Sequence, residues 1–540
     1  MTTVSLVLIL LLAVVVSAAI ARMLPPAIPR PLVQIALGAA IGLATDYRAV
    51  LHPEVFFLLF LPPLLFLDGW RMPREDLFRD RSPILGLAFG LVFFTVLGAG
   101  VFIHWLIPAM PQAVAFALAA VLSPTDATAV SAIMRRMPLS RRTMNLIQGE
   151  SLLNDASGLV CLRFAVAAAL TGGFSLGDAA LQFVWLAAGG IAAGLAVAWA
   201  IVIAKEWVGR HFGEDSGSQI LISLLIPFLA YLAAEHLGAS GILAAVAAGI
   251  AMSFAETGGR AQPTTRLHRR TVWDALQFTA NGIIFVLLGE QLPDILASAP
   301  RTVASVGRDN PWWLALWVLA ISAGLLALRF AWSWGYVRLT GLTVEGRRPT
   351  VRMNAVMALA GVRGAVTLAG VLTLPMTMGD GQPFPARDLA IFLATGAIIV
   401  SLLVASLVLP LLLRGIPLAA DHSHDAEEAA ARRAAAEAAL SEIDRVRHDL
   451  ARHSAEGDVH VTIAARVMDP YRQFLDGDGR DLAAPEKQHI AEIERQMRLA
   501  AIRAERAEIF RRVRSRQLGS ETARRLIGEL DLAEARHVQG

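Results

Sequence analysis

The chain has 540 residues, 55% of them hydrophobic and only 17% charged, where a soluble globular protein carries about a quarter charged residues. The formal net charge of +3 does not point to nucleic acid, because the basic residues flank long apolar runs and so read as a topological signal. A single cysteine, Cys161, excludes an intrachain disulfide and a thiolate metal cluster.

The mean hydropathy of +0.55 is unevenly distributed. Residues 1–414 are strongly apolar and predict a transmembrane domain, while 415–540 predict a cytoplasmic helical tail. At about 20 apolar residues per crossing, thirteen candidate spans follow in chain order: 3–21, 31–45, 54–69, 83–107, 112–133, 145–171, 180–204, 218–235, 239–254, 275–292, 311–336, 353–376 and 388–413. The first lacks a basic leader and a cleavage site, so it reads as a retained span. Three are short (31–45, 54–69 and 239–254), which suits helices shielded inside a bundle. The fold class expected is therefore an all-α polytopic membrane protein. In the tail, Leu440, Ile443, Val446 and Leu450 recur at helical spacing, as do Ile490, Ile493 and Met497. These predict amphipathic helices over 425–455 and 484–540, with a break at Gly477-Asp478-Gly479.

Loop charge gives an orientation. Alternate loops hold groups such as Arg71, Arg74, Arg79 and Arg81, or Arg135, Arg136, Arg141 and Arg142; the intervening ones hold only Arg48, Arg301, Arg308 and Arg387. The positive-inside rule makes the first set cytoplasmic, with the N-terminus outside and the tail inside. An odd number of spans admits two six-helix halves that enter the membrane in opposite directions, the inverted-repeat plan of many secondary transporters.

Several charged residues fall at bilayer depth, where ionisable side chains are costly and mark function. Glu150, Ser151, Asn154 and Asp155 lie in the run 145–171, and helical spacing gathers Ser151, Asn154 and Asp155 on one face. A carboxylate there can hold a proton or shed it to take a monovalent cation, and competition for one group is enough to make an exchanger. Ser151 and Asn154 offer neutral oxygens of the kind hard cations prefer. In Ser123-Pro124-Thr125-Asp126, Pro124 frees backbone carbonyls inside a span, and Thr125 becomes a further candidate ligand beside Asp126. Arg363, in Gly361-Val362-Arg363-Gly364, must be paired at this depth; Glu150 and Asp126 are its candidate partners. Asp68 lies at the cytoplasmic end of its span near Arg71, as a funnel carboxylate or an interfacial ion pair. No G-x-x-x-x-G-K-[ST] occurs, so ATP is not the evident energy source, and no cofactor is expected.

These phrases together resemble the monovalent cation:proton antiporter family, in its bacterial sodium/proton exchanger branch. They are Leu-Pro-Pro-Leu-Leu-Phe-Leu-Asp-Gly (61–69), Ser-Pro-Thr-Asp-Ala-Thr (123–128), Gly-Glu-Ser-Leu-Leu-Asn-Asp-Ala (149–156), Ser-Gly-Ile-Leu-Ala-Ala-Val-Ala-Ala-Gly (240–249) and Gly-Val-Arg-Gly-Ala-Val (361–366). The resemblance spans residues 1–414. It implies two inverted six-helix repeats with crossed broken helices, a core and a dimerisation domain, and a homodimer in the plasma membrane with lipid as its surroundings. It implies Asp155 as the cation- and proton-binding residue, Ser151 and Thr125 as cation ligands, and Glu150 with Arg363 as a structural ion pair. Asn154 matches the asparagine of an Asn-Asp pair that goes with electroneutral exchange. Asp68 matches a funnel position loosely, and Asn281 stands where several relatives carry an acid. The activity implied is Na+ (or Li+)/H+ antiport by alternating access, serving pH and sodium homeostasis. K+/H+ exchange is the nearest alternative, ahead of a cation channel or a membrane sensor.

Overall fold

Apolar runs of this length must satisfy every backbone polar group internally, which leaves helices as the solution for a chain of this pattern. The computed structural model describes residues 2–25, 28–45, 53–72, 79, 81–126, 141–172, 176–212, 215–256, 263–304, 306–341, 350–378, 381–414, 422–453, 457–477, 484–515 and a few positions from 526 to 534. Among these residues the regular structure is all helical. By contacts the chain divides into two compact units, Met1–Ala419 and Ala420–Gly540.

In the first unit, α1 (Thr2–Met23), α2 (Arg30–Ala44) and α3 (Pro53–Arg71) are followed by α4 (Arg81–Leu85), a π-helical turn (Gly86–Gly90) and α5 (Leu91–Leu106). Then come α6 (Gln112–Leu122), α7 (Arg141–Thr171), α8 (Leu176–Phe212), α9 (Ser216–His236), α10 (Gly241–Glu256) and α11 (Pro263–Ala304). The unit closes with α12 (Trp312–Thr340), α13 (Val351–Leu359), α14 (Ala365–Leu372) and α15 (Arg387–Leu413). Each of the thirteen apolar stretches contains a helix, and eight helices among the described residues are long and apolar enough to cross a membrane. Residues 127–140, which carry the end of the stretch 112–133, Ala127-Thr128 of the quoted motif, and Arg135 and Arg136, lie outside the described residues. So do Arg48, Arg74, Arg260, Arg347 and Arg348 of the charged loops.

Of the short spans, α10 and the second half of α3 lie inside the bundle, whereas α2 keeps an exposed side at Ala36, Ala40, Leu43 and Ala44. Helix α10 is buried at every position from Gly241 to Gly249, between α3 and α8. Small residues make this possible, as is usual where helices meet in lipid. At the contact of α2 with α11, a Cβ on Gly38 would stand 2.0 Å from the Val286 carbonyl oxygen, and one on Gly289 would stand 2.0 Å from that of Ile35. Only glycine lets these two backbones approach so closely. By contrast α8 shows a long exposed apolar face, including Leu181, Trp185, Leu195, Trp199, Ile203 and Trp207, the surface a lipid-facing helix presents.

Two interruptions position the site. Helix α6 ends at Leu122 and the chain runs through Ser123–Asp126 without helical structure; α13 and α14 are separated by residues 360–364. The apolar stretch 353–376 is thus two short helices with Gly361-Val362-Arg363-Gly364 between them. The interruptions meet: the Asp126 backbone N–H donates to the Val362 carbonyl at 2.7 Å.

The second unit contains α16 (His422–His453), α17 (Gly457–Gly477) and α18 (Ala484–Arg514). Helix α17 falls between the two tail helices that composition predicts. Pro470 inside it hides a helix whose buried face is Ala464 and Met468, packed on α16. Along α16, Ala436 is buried, Leu440 and Ile443 are half-buried and Val446 is exposed; in α18 Met497 is exposed and Ile502 is buried. The side chains of Leu450, Ile490 and Ile493 lie outside the described residues. Asp478 and Gly479 of the expected break lie outside the described residues.

Candidate functional site

The two interruptions leave a cavity of about 40 Å³, lined by Leu61, Leu64, Leu65 and Asp68 of α3, by Pro124, Thr125 and Asp126, and by Ser151 and Asp155 of α7. Asn281 of α11, Gly364, and Val366 and Thr367 of α14 complete the wall. At about 10–15 Å³ per enclosed water, this space fits about three or four waters or a partly hydrated monovalent ion.

Helical spacing does what the sequence requires of it on α7. Asp155 is 7% exposed and has no hydrogen-bond donor among the described residues, so its carboxylate is open to the cavity. Ser151, one turn away, donates its hydroxyl to the Thr125 carbonyl at 2.6 Å, and Asn154 donates its amide Nδ2 to the Thr125 hydroxyl at 2.9 Å. Asn154 is buried, and its Oδ1 lacks a partner among the described residues. Four of the predicted residues, Asp155, Ser151, Asn154 and Thr125, therefore form one continuous group, with the Pro124 break held against α7. Gly158 allows that approach, since a Cβ there would lie 2.3 Å from Pro124 Cγ. Ser157 anchors α7 on the other side by donating to the Ala88 carbonyl of the π-helical turn at 2.8 Å.

Asp126 and Asp68 are half-buried and face the same cavity. Asp126 sits against the start of α14, so close that a Cβ on Gly364 would fall 1.9 Å from its Oδ2. The first N–H groups of a helix lack intrahelical partners and carry partial positive charge. The Asp126 carboxylate offsets that charge beside a chamber suited to a cation. Asp68 is not held by Arg71: the Arg71 guanidinium donates to Gln277 at 2.7 Å and pairs with Asp274, both on α11. Among the described residues no three Asp, Glu, His or Cys side chains converge on a metal-holding cluster.

The expected Glu150–Arg363 pair is corrected. Glu150, 1% exposed, holds Arg329 of α12: Nη2 donates to Oε2 at 2.8 Å, and Nη1 pairs with Oε1. Arg329 also donates from Nε to the Met357 carbonyl at 3.2 Å, tying α7, α12 and α13 together. Arg363 instead donates from Nε to the Leu122 carbonyl at 3.2 Å and from Nη1 to that of Gly361 at 2.8 Å. The reason is local. The last carbonyls of a helix are unsatisfied and partly negative, and the break beyond α6 puts one within reach of Arg363. Arg363 thus offsets a helix C-terminus as Asp126 offsets an N-terminus. Arg329 is visible in the sequence as an arginine between Leu328 and Phe330 in a long apolar run, a signal that depth alone could have raised. Arg163, in the outer part of α7, donates to Glu235 of α9 at 2.9 Å.

The fold and the cavity define a polytopic membrane protein with a carboxylate-lined chamber beside two helix interruptions that meet. The chain belongs to the sodium/hydrogen exchanger family: the family described as "Sodium/hydrogen exchanger, transmembrane" matches residues 7–415. It is similar along its length to an Escherichia coli (strain K12) protein named "Uncharacterized Na(+)/H(+) exchanger YjcE", with 40% identity over 98% of both chains. A Bacillus pumilus protein named as a sodium, potassium, lithium and rubidium/H(+) antiporter is 42% identical over 74% of this chain and 60% of its own length. Among solved structures, the sodium proton antiporter MjNhaP1 from Methanocaldococcus jannaschii superimposes with a TM-score of 0.58. That match covers 77% of this chain and 99% of that one at 19% identity, a likeness of fold.

Proposed function

We propose that this protein is a secondary antiporter that exchanges Na+ or Li+ for H+ across a bacterial plasma membrane. The observation that carries the reading is the placement of Asp155: a carboxylate with no hydrogen-bond donor among the described residues, in a chamber of ion-binding size, beside Ser151 and Thr125, the latter held by Asn154. Proton and cation compete for that group, and burial penalises leaving it both deprotonated and empty. Thr125 and Ser151 serve as neutral ligands, Asn154 sets the position of the Thr125 hydroxyl, and Asp68 draws cations in from the cytoplasmic side. Glu150 has no proton-carrying role, because its charge is held by Arg329. One exchangeable carboxylate, with its neighbour an asparagine, favours electroneutral one-for-one exchange. Alternating access comes from movement of the part carrying α6, α7 and α14 against a dimeric scaffold, with the N-terminus outside and the tail in the cytoplasm. The names of the relatives favour antiport over a channel or a sensor, and one of them names K+ and Rb+ as well, which keeps K+/H+ exchange as the second reading.

Reconstituted in liposomes with an internal pH dye and the membrane potential clamped, the protein should change internal pH on jumps of Na+ or Li+. Asp155→Asn should abolish that response while the purified protein keeps its thermal transition. Cation-dependent proton movement retained in the variant would overturn the assignment of Asp155. A wild type that responds to K+ above Na+ and Li+ would select the second reading.

A further inference from the structure

Thr367 lies at the third position of α14, 1% exposed, on the wall of the chamber that holds Asp155. No described residue hydrogen-bonds its side chain. That is unusual for a buried hydroxyl, because leaving one without a partner costs free energy. Its neighbours solve the problem within their own helices: Thr373 donates to the Gly370 carbonyl at 2.6 Å, Ser401 to that of Ile398 at 2.9 Å and Ser406 to that of Leu403 at 2.8 Å. Thr367 has no such recourse. The residues three and four before it, Gly364 and Arg363, lie in the interruption and not in a preceding helical turn. The hydroxyl is left to whatever occupies the chamber of about 40 Å³ that it shares with Asp155.

Resting on the antiport reading above, we propose that Thr367 is a specificity-determining residue of the cation site, its hydroxyl oxygen contacting the transported alkali cation directly or through one water. The Ser151 hydroxyl is engaged with the Thr125 carbonyl and the Thr125 hydroxyl with Asn154, so those oxygens are fixed in place by their partners. The Thr367 oxygen is the one neutral hydroxyl of the wall without such a tie among the described residues, and it comes from a different helix. The distance between α14 and α7 then sets how large an ion is held well, in the way cavity size and ligand number discriminate among ions elsewhere.

The test compares wild type, Thr367→Val and Thr367→Ser as full-length purified proteins. Two measurements are made: the rise in melting temperature with added NaCl, LiCl or KCl against choline chloride, and the half-maximal cation concentration for exchange in liposomes. Thr367→Val removes the oxygen and keeps the shape. It should melt no lower than wild type in choline and yet lose much of the cation-dependent rise, because a ligand stabilises only in proportion to its binding. The half-maximal Na+ concentration should rise by about tenfold, equivalent to about 1.4 kcal/mol, with the ranking of Na+, Li+ and K+ altered; Thr367→Ser should restore both. An unchanged ranking and half-maximal concentration in Thr367→Val overturns the proposal. So does a lowered melting temperature in choline with unchanged cation response, which would make the residue structural. A wild type stabilised by alkali cations but inactive in exchange would refute antiport while the melting series still decides Thr367. A wild type that neither exchanges nor is stabilised overturns both.

Discussion

Both units of the chain hold carboxylate–guanidinium contacts of good geometry, and the two settings make different things of them. In the membrane unit Glu150 and Arg329 meet with side chains only 1% and 5% exposed. In the tail Glu508 accepts from Arg511 at 2.6 and 2.7 Å and from Arg512 at 2.8 Å, with side chains 43%, 63% and 57% exposed. Water solvates every member of the tail group whether or not the contact forms, and such pairs contribute little. Glu150 and Arg329 have no such alternative, since each is the other's replacement for water. Distance alone therefore says little about which ion pair matters; the surroundings decide.

The largest effect should come from separating the buried pair. Glu150→Gln leaves the Arg329 cation without a countercharge inside the bundle, at a cost of about 3–5 kcal/mol. We expect little or no folded protein, read as yield and melting temperature in detergent. The double variant Glu150→Gln with Arg329→Met replaces the pair with groups of similar volume and should recover much of the loss. A single variant that melts like wild type would show that water or lipid headgroups reach Glu150, and the contrast between the two units would fail.

Arg363 should come next. Arg363→Ala removes two donors and orphans the Leu122 and Gly361 carbonyls that the interruptions expose. A hydrogen bond from a charged donor contributes about 1.5–3 kcal/mol, so the melting temperature should fall at least as clearly as exchange does. A variant that keeps its melting temperature and loses only ion selectivity would place Arg363 in the ion's path and not in the framework.

What the sequence discloses about this site follows the same division between local and distant partners. The Asp155 face is legible because Ser151, Asn154 and Asp155 share a helix and their spacing is enough to gather them. Pro124, Gly361 and Gly364 announce the interruptions by their backbone chemistry. The partner of Glu150 is not legible in this way. Arg329 is separated from it by 179 positions, and Arg363 satisfies the same demand for compensation on paper. Only the meeting of the two breaks, which offers Arg363 backbone carbonyls, distinguishes them. Thr367 carries no signal of its own; its unpaired hydroxyl follows from α14 starting two residues earlier. In the tail, α17 is obscured by Pro470 and by a short apolar face.

The smallest effect should be in the tail, and its pH dependence has a definite sign. Hydrogen bonds from Arg511 and Arg512 lower the Glu508 pKa from 4.5 to about 2. A carboxyl held below its unfolded value contributes stability above that value and loses it as pH falls through the folded one, so any contribution is present at neutral pH and disappears between about pH 4.5 and 2. The exposure of the group discounts it heavily, because solvent and salt screen the charges in both states. Glu508→Gln should therefore leave the melting temperature of the full-length protein unchanged at pH 7 in physiological salt. At low ionic strength a small decrease should emerge, and it should shrink on acidification and vanish below about pH 2, where the wild-type carboxyl is protonated in the folded as in the unfolded state. A decrease that persists in high salt would mean the tail contacts are shielded from water in the intact protein, as the Glu150–Arg329 pair is.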